Sequence, residues 1–305
     1  MDNDKQKIIS VAVCCFLGLF VIIGLRNQLQ NKTYSKNSLD VLTSQANQSN
    51  HPLVFFDKDT FYTGIEQVKK ENKSFSSRIV GGVIPHHLFP GFIIADFFNR
   101  ISKQNPKTII LIGPNHYERG DSKALSSMYG WETPFGVVGP NEQIIKELTE
   151  SNLIKINEDV LPKDHAVAGI MPFVKYYLPD SKVVPILLSG FMSEGDIRAL
   201  SNDLKKYLNE DTIIISAVDF SHYLTSPQAQ EKDKTTLELM QSFNYQKLLS
   251  LNNDFLDSPP SIVTLLMAMH TLGTTKMEVL YHTNSGELQK NNSIETTSYF
   301  SIVYY

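Results

Sequence analysis

The segment Thr108-Ile109-Ile110-Leu111-Ile112-Gly113-Pro114-Asn115-His116 is an apolar, β-branched run that ends at a histidine. Two further apolar runs are each followed by a histidine: residues 79–84 before His86, and residues 212–218 before His222. Short apolar runs bounded by Gly, Pro or Asp are typical of strands that are buried on both faces. In an open α/β sheet, ligands collect outside the carboxyl ends of the strands, so the three histidines are predicted to converge there. The pattern predicts a metal site or an acid/base site.

The rest of the chain alternates further strand-like runs with helical segments. The predicted strands outside the three runs are residues 182–188, 276–282 and 297–305, and the predicted helices are residues 91–100, 141–150, 165–177, 194–209, 227–243 and 259–272. Such alternation implies a sheet covered by helices. We therefore predict an α/β fold with a mixed, mostly parallel central sheet and helices on both faces, a three-layer sandwich.

The first 50 residues differ in composition from the remainder. Ile8 to Leu25 carry no charge, and as a helix this run would be about 27 Å long, close to the ~30 Å of a hydrocarbon core. Residues 1–26 are therefore predicted to be a transmembrane anchor. A cleaved signal peptide is the alternative, but the run is long for one and no small-x-small cleavage site follows it. Residues 27–50, rich in Asn, Gln and Ser, are predicted to be a polar tether to an α/β domain at residues 51–305.

Cysteine and charge usage indicate the environment of the domain. Cys14 and Cys15, the two cysteines of the chain, lie in the predicted anchor, so the domain has neither a thiol nor a disulfide. That composition is compatible with an oxidising exterior. We expect a single-pass membrane protein whose domain lies outside the cytoplasm. The formal net charge is -4 and no basic block is present, which argues against nucleic acid as a partner.

Seven short motifs follow one another between about Pro52 and Tyr305. They are Ile84-Pro85-His86, Leu111-Ile112-Gly113-Pro114-Asn115-His116, Thr133-Pro134-Phe135-Gly136, Asp164-His165, Met171-Pro172-Phe173, Val184-Pro185-Ile186-Leu187, and Ser216-Ala217-Val218-Asp219-Phe220-Ser221-His222-Tyr223. In this order the chain resembles the Memo family, which includes the bacterial AmmeMemoRadiSam system protein B. The resemblance implies a fold similar to that of class III extradiol dioxygenases, which hold non-haem iron with two histidines and a carboxylate.

The resemblance also implies roles for individual residues. His86 and His116 match metal ligands of the family, and Asp219 and His222 match residues that line the same pocket. The third ligand in Memo proteins is often a Cys shortly before a late buried helix. This chain has no Cys there, and Asp257 falls at the matching place.

Elementary metal chemistry supports Asp257 as the third ligand. Two neutral imidazoles and one carboxylate leave positions open for substrate and oxygen, as in non-haem iron(II) oxygenases. The same set also suits zinc. If Pro259 opens the last buried helix, Ser258 is its N-cap, and the Asp257 side chain is free for another role. Alternatively, Asp257 is a surface carboxylate before a helix. The expected cofactor is a divalent transition metal, with iron favoured over copper or zinc.

Four polar residues are candidates for contacts with a bound molecule. His222 suits a general acid/base because the ordinary pKa of histidine lies near neutrality. Asp219 either caps the turn after its strand or orients His222 or a metal-bound water. His165 and His87 are candidate ligand-binding residues. The alternatives are a role at the start of a helix after Asp164 for His165, and an orientation away from the site for His87, where the family typically has Ala.

Two classes of function follow from these residues. One is a metal-dependent oxidoreductase of the extradiol dioxygenase type. The other is a non-catalytic module that presents a metal or a cleft at the membrane to a small molecule or a peptide. A zinc hydrolase is disfavoured, because the chain has no His-Glu-x-x-His helix that would place a base beside two ligands.

Overall fold

A mixed sheet with helices packed on both faces forms the centre of this protein. The computed structural model describes residues 50–71 and 75–305. The strands are β1 (Asn50–His51), β2 (Gly81–Ile84), β3 (Thr108–Pro114), β4 (Ala124–Ser126), β5 (Gly130–Thr133), β6 (Gly136–Val138), β7 (Lys155–Ile156), β8 (Lys182–Leu188), β9 (Thr212–Ala217), β10 (His222–Leu224), β11 (Met277–Asn284) and β12 (Thr296–Tyr304). The helices are α1 (Lys58–Glu71), α2 (Gly91–Ser102), α3 (Glu142–Glu150), α4 (His165–Ala168), α5 (Met171–Tyr177), α6 (Glu194–Leu204), α7 (Ser226–Gln241), α8 (Tyr245–Leu249), α9 (Pro259–Leu272) and α10 (Ser285–Leu288), with short 3-10 turns at Leu161–Lys163 and Lys205–Tyr207.

The centre of the main sheet is parallel and its edges are mixed. Strands β2, β9, β3 and β8 lie side by side in that order, all parallel. On one side, β12 pairs antiparallel with β2, β10 and β11. On the other side, β4 pairs antiparallel with β8 and parallel with β7. A separate small sheet joins β1, β5 and β6.

Both faces of the sheet are covered, as the long apolar runs predict. In β3, Ile110 and Ile112 pack into one hydrophobic core with residues of α6 and α9. Their neighbours Ile109 and Leu111 point the other way, into a second core built with α2 and α5. The predicted α/β fold and three-layer arrangement are therefore confirmed.

The predicted membrane location is contradicted and is corrected as follows. Among the residues that the structure describes, no helix is long and apolar enough to cross a bilayer. The predicted anchor, residues 1–26, and most of the predicted tether, residues 27–50, lie outside the described residues. The uncharged run of residues 8–25 is long enough to span a bilayer, but its length does not show where it lies. We therefore assign neither a membrane location, nor an extracytoplasmic domain, nor the membrane as a partner, while the boundaries drawn at residues 26 and 50 stay predictions.

One helix predicted from the sequence is divided in two. The predicted helix at residues 165–177 is interrupted at Gly169 and Ile170, which leaves α4 and α5 as separate short helices. Pro172 lies in the first turn of α5, where a missing backbone N–H does not cost a helical hydrogen bond. The short helix α4 begins at His165 and packs against β3.

Gly113 allows α4 to lie close to β3. A Cβ atom added at Gly113 would lie 2.8 Å from the Cβ of Ala166, the second residue of α4. This distance is shorter than carbon atoms tolerate without movement. The missing side chain at residue 113 therefore sets how closely His165, at the start of α4, approaches the end of β3.

We expect Gly113→Ala to reduce the free energy of unfolding by about 1 to 3 kcal/mol, the usual cost of an extra methyl group in a packed core. Urea denaturation of the full chain, followed by the fluorescence of the buried Trp131, measures the change. The matched control is Gly139→Ala, because a Cβ there would have no atom within 4 Å. Equal unfolding free energies for the two variants would contradict the packing argument.

Candidate metal centre

Polar side chains follow the carboxyl ends of three adjacent parallel strands and therefore lie at one edge of the sheet. His86, Asp219 and His116 each lie two residues beyond the end of their strand, β2, β9 and β3 respectively. These strands are neighbours in the order β2, β9, β3. The ring centres of His86 and His116 lie 4.8 Å apart. Of the three strand-end histidines predicted to converge, His86 and His116 thus lie together, and Asp219 joins them through its contact with His86.

Asp257 reaches the same place through backbone pairing with the segment after β9. Phe220 and Leu256 form an isolated antiparallel bridge, and the backbone N–H of Asp257 donates to the carbonyl oxygen of Asp219 at 3.1 Å. Ser258 caps α9, as predicted, by accepting from the backbone N–H of Ser261. The Asp257 carboxylate is thus not used as a helix cap.

The carboxylate of Asp257 lies between the two histidines. Its Oδ2 is 3.2 Å from Nε2 of His86 and 3.7 Å from Nε2 of His116. The side chain is 8% exposed. This placement is compatible with all three side chains reaching one ion.

The orientation of His86 is set by a backbone carbonyl. Its Nδ1–H donates to the carbonyl oxygen of Ala217 at 3.1 Å, so Nε2 is the nitrogen that faces the site. Asp219 contacts His86 twice: Oδ1 accepts from the His86 backbone N–H at 3.1 Å, and Oδ2 lies 3.7 Å from Nε2. The hydrogen bond and the ion pair of the Asp219 carboxylate are therefore to His86, and we find neither to His222 among the described residues. Asp219 thus positions His86.

The orientation of His116 is set by Asp164. Oδ1 of this buried carboxylate lies 2.8 Å from Nδ1 of His116, and Oδ2 accepts from the His116 backbone N–H at 2.9 Å. Oδ1 also accepts from the backbone N–H of Ala166 at 3.0 Å, which makes Asp164 the N-cap of α4. The sequence predicts that Asp164 caps the helix, but it does not predict the contact of Asp164 with His116. Carboxylates that orient a histidine in this way are typical of metal sites.

His165 completes a cluster of three imidazoles. Its ring stacks on that of His116 at 4.3 Å between centres and 15° between planes. It meets the ring of His86 nearly edge-on, at 5.0 Å and 80°. The sequence predicts His165 as a ligand-binding residue, and in the structure one of its ring nitrogens lies within 4.8 Å of donor atoms of the other two histidines.

Two overlapping groups of side chains have the spacing of metal ligands. One consists of His86, His116 and His165, and the other of His86, Asp219 and Asp257. Within each group, one donor atom per residue lies within 4.8 Å of the others. Among the predicted ligands, His86 belongs to both groups, His116 to the first and Asp257 to the second.

The charges of the site are strongly coupled. Burial lowers the pKa of His86, but the carboxylates of Asp219 and Asp257 outweigh it and raise that pKa to about 10. Burial likewise lowers the pKa of His116, and the carboxylates of Asp164 and Asp257 raise it to about 9. For Asp257 the effects are reversed: burial raises its pKa, and the neighbouring histidines hold it well below its usual range. The site thus strongly attracts positive charge.

Other groups of the site remain neutral. Burial and the nearby cationic histidines lower the pKa of His165 to about 4. Burial is also the main cause of the lowered pKa of His87. The Nδ1 of His87 lies 2.8 Å from the hydroxyl of Tyr299 on β12, a partner that sequence reasoning missed. Tyr299 is the third residue of the last predicted strand, and nothing in the sequence around it indicates a contact with His87.

Three buried polar atoms of the site have no hydrogen-bond partner among the described residues. They are both carboxylate oxygens of Asp257 and Nδ1 of His222. Buried polar groups without partners are rare and costly in native proteins. A cation beside Asp257 would satisfy the carboxylate, so the residues present fit a bound metal. Nδ1 of His222 is free to contact a bound molecule.

Comparison with known proteins identifies the family. A model of the Memo-like protein family matches residues 59–303, which include every residue of the site described above. The chain belongs to the Memo-like family. It is 28% identical over 239 residues to a MEMO1 family protein of Pyrobaculum aerophilum, covering 74% of this chain and 83% of the relative. It is 29% identical over 240 residues to a MEMO1 family protein of Methanococcus maripaludis, covering 73% and 83%.

A solved structure of similar fold is that of an uncharacterized protein from Escherichia coli K12. The two share 12% sequence identity with a TM-score of 0.49, over 73% of this chain and 99% of that one. The Memo resemblance drawn from the seven motifs is thus confirmed by the family match. The candidate metal ligands of this Memo-like chain are identified from its own geometry.

We expect Asp164→Asn to weaken zinc binding by about 10 to 100-fold, the usual effect of losing a carboxylate that orients a ligand. Asn caps helices as well as Asp does, so α4 should remain formed. The pKa of His116 in the metal-free protein should fall toward its ordinary value, because the Asp164 charge that raises it is gone. Calorimetry and NMR titration of the imidazole measure the two effects. An unchanged zinc affinity together with a lowered pKa would show that Asp164 does not orient a metal ligand.

Proposed function

We propose that this Memo-like protein is a metal-dependent oxidoreductase of the extradiol dioxygenase type. His86, His116 and Asp257 are the residues that bind its divalent transition metal, with iron favoured over copper or zinc. The observation that carries the proposal is the Asp257 carboxylate, which is buried without a hydrogen-bond donor and lies 3.2 and 3.7 Å from the free nitrogens of the two histidines.

The rings of the two histidines are held in an orientation that suits metal ligands. Nδ1 of His86 and Nδ1 of His116 are both engaged, by the carbonyl of Ala217 and by the carboxylate of Asp164. Each Nε2 therefore remains for a metal, and each ring is held in place before the metal binds. Two imidazoles and one carboxylate form the ligand set of non-haem iron(II) oxygenases, which leaves positions for a substrate and for oxygen. Iron bound there would supply the activation of dioxygen.

The remaining polar groups have roles in handling protons and in binding. His222 follows β9 on the segment that also carries Asp219, and its buried Nδ1 has no partner among the described residues. We assign it the transfer of a proton to or from a bound hydroxyl group. Asp219 keeps His86 in position. His165 and His87 are uncharged, so they can donate or accept a hydrogen bond without repelling a bound molecule.

Exposed aromatic side chains at the edge of the site support an aromatic ligand. Phe89, Tyr117 and Tyr223 each follow a histidine of the site within three residues and are 44%, 56% and 70% exposed. Tyr223 has a positive φ of 60°, which is unusual for a residue with a side chain. Aromatic rings stack well on planar ligands. A small aromatic diol, such as a catechol, is therefore the first substrate class to test.

We expect the full-length protein reconstituted with iron(II) to consume oxygen when a catechol is added, because the site offers both an oxygen position and a proton-transfer group. His222→Gln should retain iron and lower the rate by about 10² to 10⁴-fold, the usual contribution of a general acid/base. An oxygen electrode measures the rate, and metal analysis measures the iron content. His86→Ala should lose most of the iron.

The controls of the oxygen experiment separate the two classes of function. His270→Ala is a matched control, since this histidine is exposed on α9 and contacts Tyr245 rather than the site. Stoichiometric iron without oxygen uptake across a panel of catechols would favour the non-catalytic metal- or ligand-binding module. Equal iron in the wild type and in His86→Ala would refute the site itself.

The carboxylate at residue 257 should set the choice of metal. Thiolate favours copper(I), and a carboxylate does not. We expect the wild type to prefer iron(II) or zinc over copper(I), and Asp257→Cys to shift the preference toward copper(I). Competition between the metals under reducing conditions measures the preference, with Asp254→Cys, an exposed residue before α9, as the control. An unchanged preference in Asp257→Cys would exclude direct coordination by residue 257.

A further inference from the structure

We infer that the centre has positions for two divalent metal ions bridged by the carboxylate of Asp257. In this arrangement one ion is bound by His86 and Asp219, and the other by His116 and His165, with Asp257 bound to both. The inference rests on the proposed metal-binding function, and it divides the proposed ligands His86 and His116 between two ions.

The number of donors exceeds what one ion needs. Catalytic zinc sites and the two-histidine, one-carboxylate iron sites use three protein ligands each. Here five residues have the spacing of metal ligands: His86, His116, His165, Asp219 and Asp257. After one ion takes three of them, a nitrogen and a carboxylate remain at the same distances.

His86 can serve only one of the two ligand groups that contain it. Its Nδ1 donates to the carbonyl of Ala217, which leaves Nε2 as the single donor atom toward a metal. Nε2 lies 3.2 Å from Asp257 Oδ2 and 3.7 Å from Asp219 Oδ2. Two ligand atoms bound at roughly 2.1 Å to the same ion lie about 3.0 to 3.6 Å apart. The distance to Asp257 falls in this range and the distance to Asp219 is 0.1 Å above it, so we place His86 in the group with the two carboxylates.

The other group then needs a third donor, and Asp257 supplies it. His116 and His165 stack at 4.3 Å between ring centres. Nε2 of His116 lies 3.7 Å from Asp257 Oδ2, while its Nδ1 is occupied by Asp164. The carboxylate of Asp257 has two oxygens, both buried and both without a hydrogen-bond partner among the described residues. A carboxylate in this state can bind two ions at once.

The charges of the site also favour two ions. Three buried carboxylates, those of Asp164, Asp219 and Asp257, form ion pairs with His86 and His116 and, among the described residues, with no Lys or Arg. With the histidines neutral as ligands, one divalent ion leaves a net charge of about -1 in the site. Two ions leave about +1, which an anionic oxygen of a substrate or a hydroxide would balance. Paired metal sites of this kind hold their ions about 3.5 to 4 Å apart and bind oxygen ligands across both.

Metal stoichiometry tests the inference. The full-length protein, freed of metal, is incubated with excess zinc, passed over a desalting column and analysed for zinc per chain. We expect two equivalents in the wild type and one in His165→Ala and in Asp219→Asn. His270→Ala and Asp254→Asn, which replace exposed residues of the same types, should keep two. The equivalent that remains in each site variant also reports that the variant is folded.

A second measurement counts the ions by spectroscopy. Loading the wild type with manganese(II) should give the electron paramagnetic resonance signal of two coupled ions, and His165→Ala should give that of an isolated ion. One equivalent of zinc in the wild type, with an isolated manganese signal, would overturn the two-ion inference and leave the proposed single-metal function standing. Two equivalents that persist in both site variants would also overturn it. No bound zinc in the wild type would refute the proposed function as well.

Discussion

The buried carboxylate of Asp257 is the constraint on which the rest of the site depends. A charged group removed from water is costly unless a partner of opposite charge and hydrogen bonds compensate it. The nearest groups are the imidazoles of His86 and His116, at 3.2 and 3.7 Å, and neither completes a hydrogen bond with it. The backbone pairing of Phe220 with Leu256 nevertheless holds Asp257 in place. The fold thus holds a buried carboxylate beside two histidines, where a bound cation would satisfy its oxygens.

The surrounding histidines are held by groups outside the site. Ala217 belongs to β9, and its carbonyl orients a histidine that follows β2; the two strands are adjacent and parallel. Asp164 caps α4 and orients His116 with the same carboxylate, which couples the start of that helix to the end of β3. Gly113 contributes to the same contact, because its missing side chain lets α4 pack closely against β3. The stability of the helix and the geometry of the candidate metal ligands therefore depend on shared contacts.

The sequence predicts the parts of the site that depend on strand ends. His86, His116 and Asp219 follow apolar runs, and because parallel strands place their carboxyl ends together, their meeting follows from the pattern. The second role of Asp164 could not be predicted from pattern, since its contact with His116 joins residues 48 positions apart. The stacking of His165 on His116 likewise joins residues that are far apart along the chain. The membrane location failed because hydropathy reports the length of an apolar run and not where it lies.

The absence of a thiol near Asp257 changes what the site can do. Where Memo proteins often carry a Cys, this chain has a carboxylate with two donor atoms. A carboxylate favours harder ions and redox chemistry with oxygen. Its two oxygens also permit it to join two ligand groups that otherwise share only His86. In the two-ion arrangement His165 and Asp219 would be ligands themselves, whereas in a site for one ion Asp219 positions His86 and His165 is a neutral neighbour. The carboxylate at residue 257 thus bears on both the proposed choice of metal and the proposed number of ions.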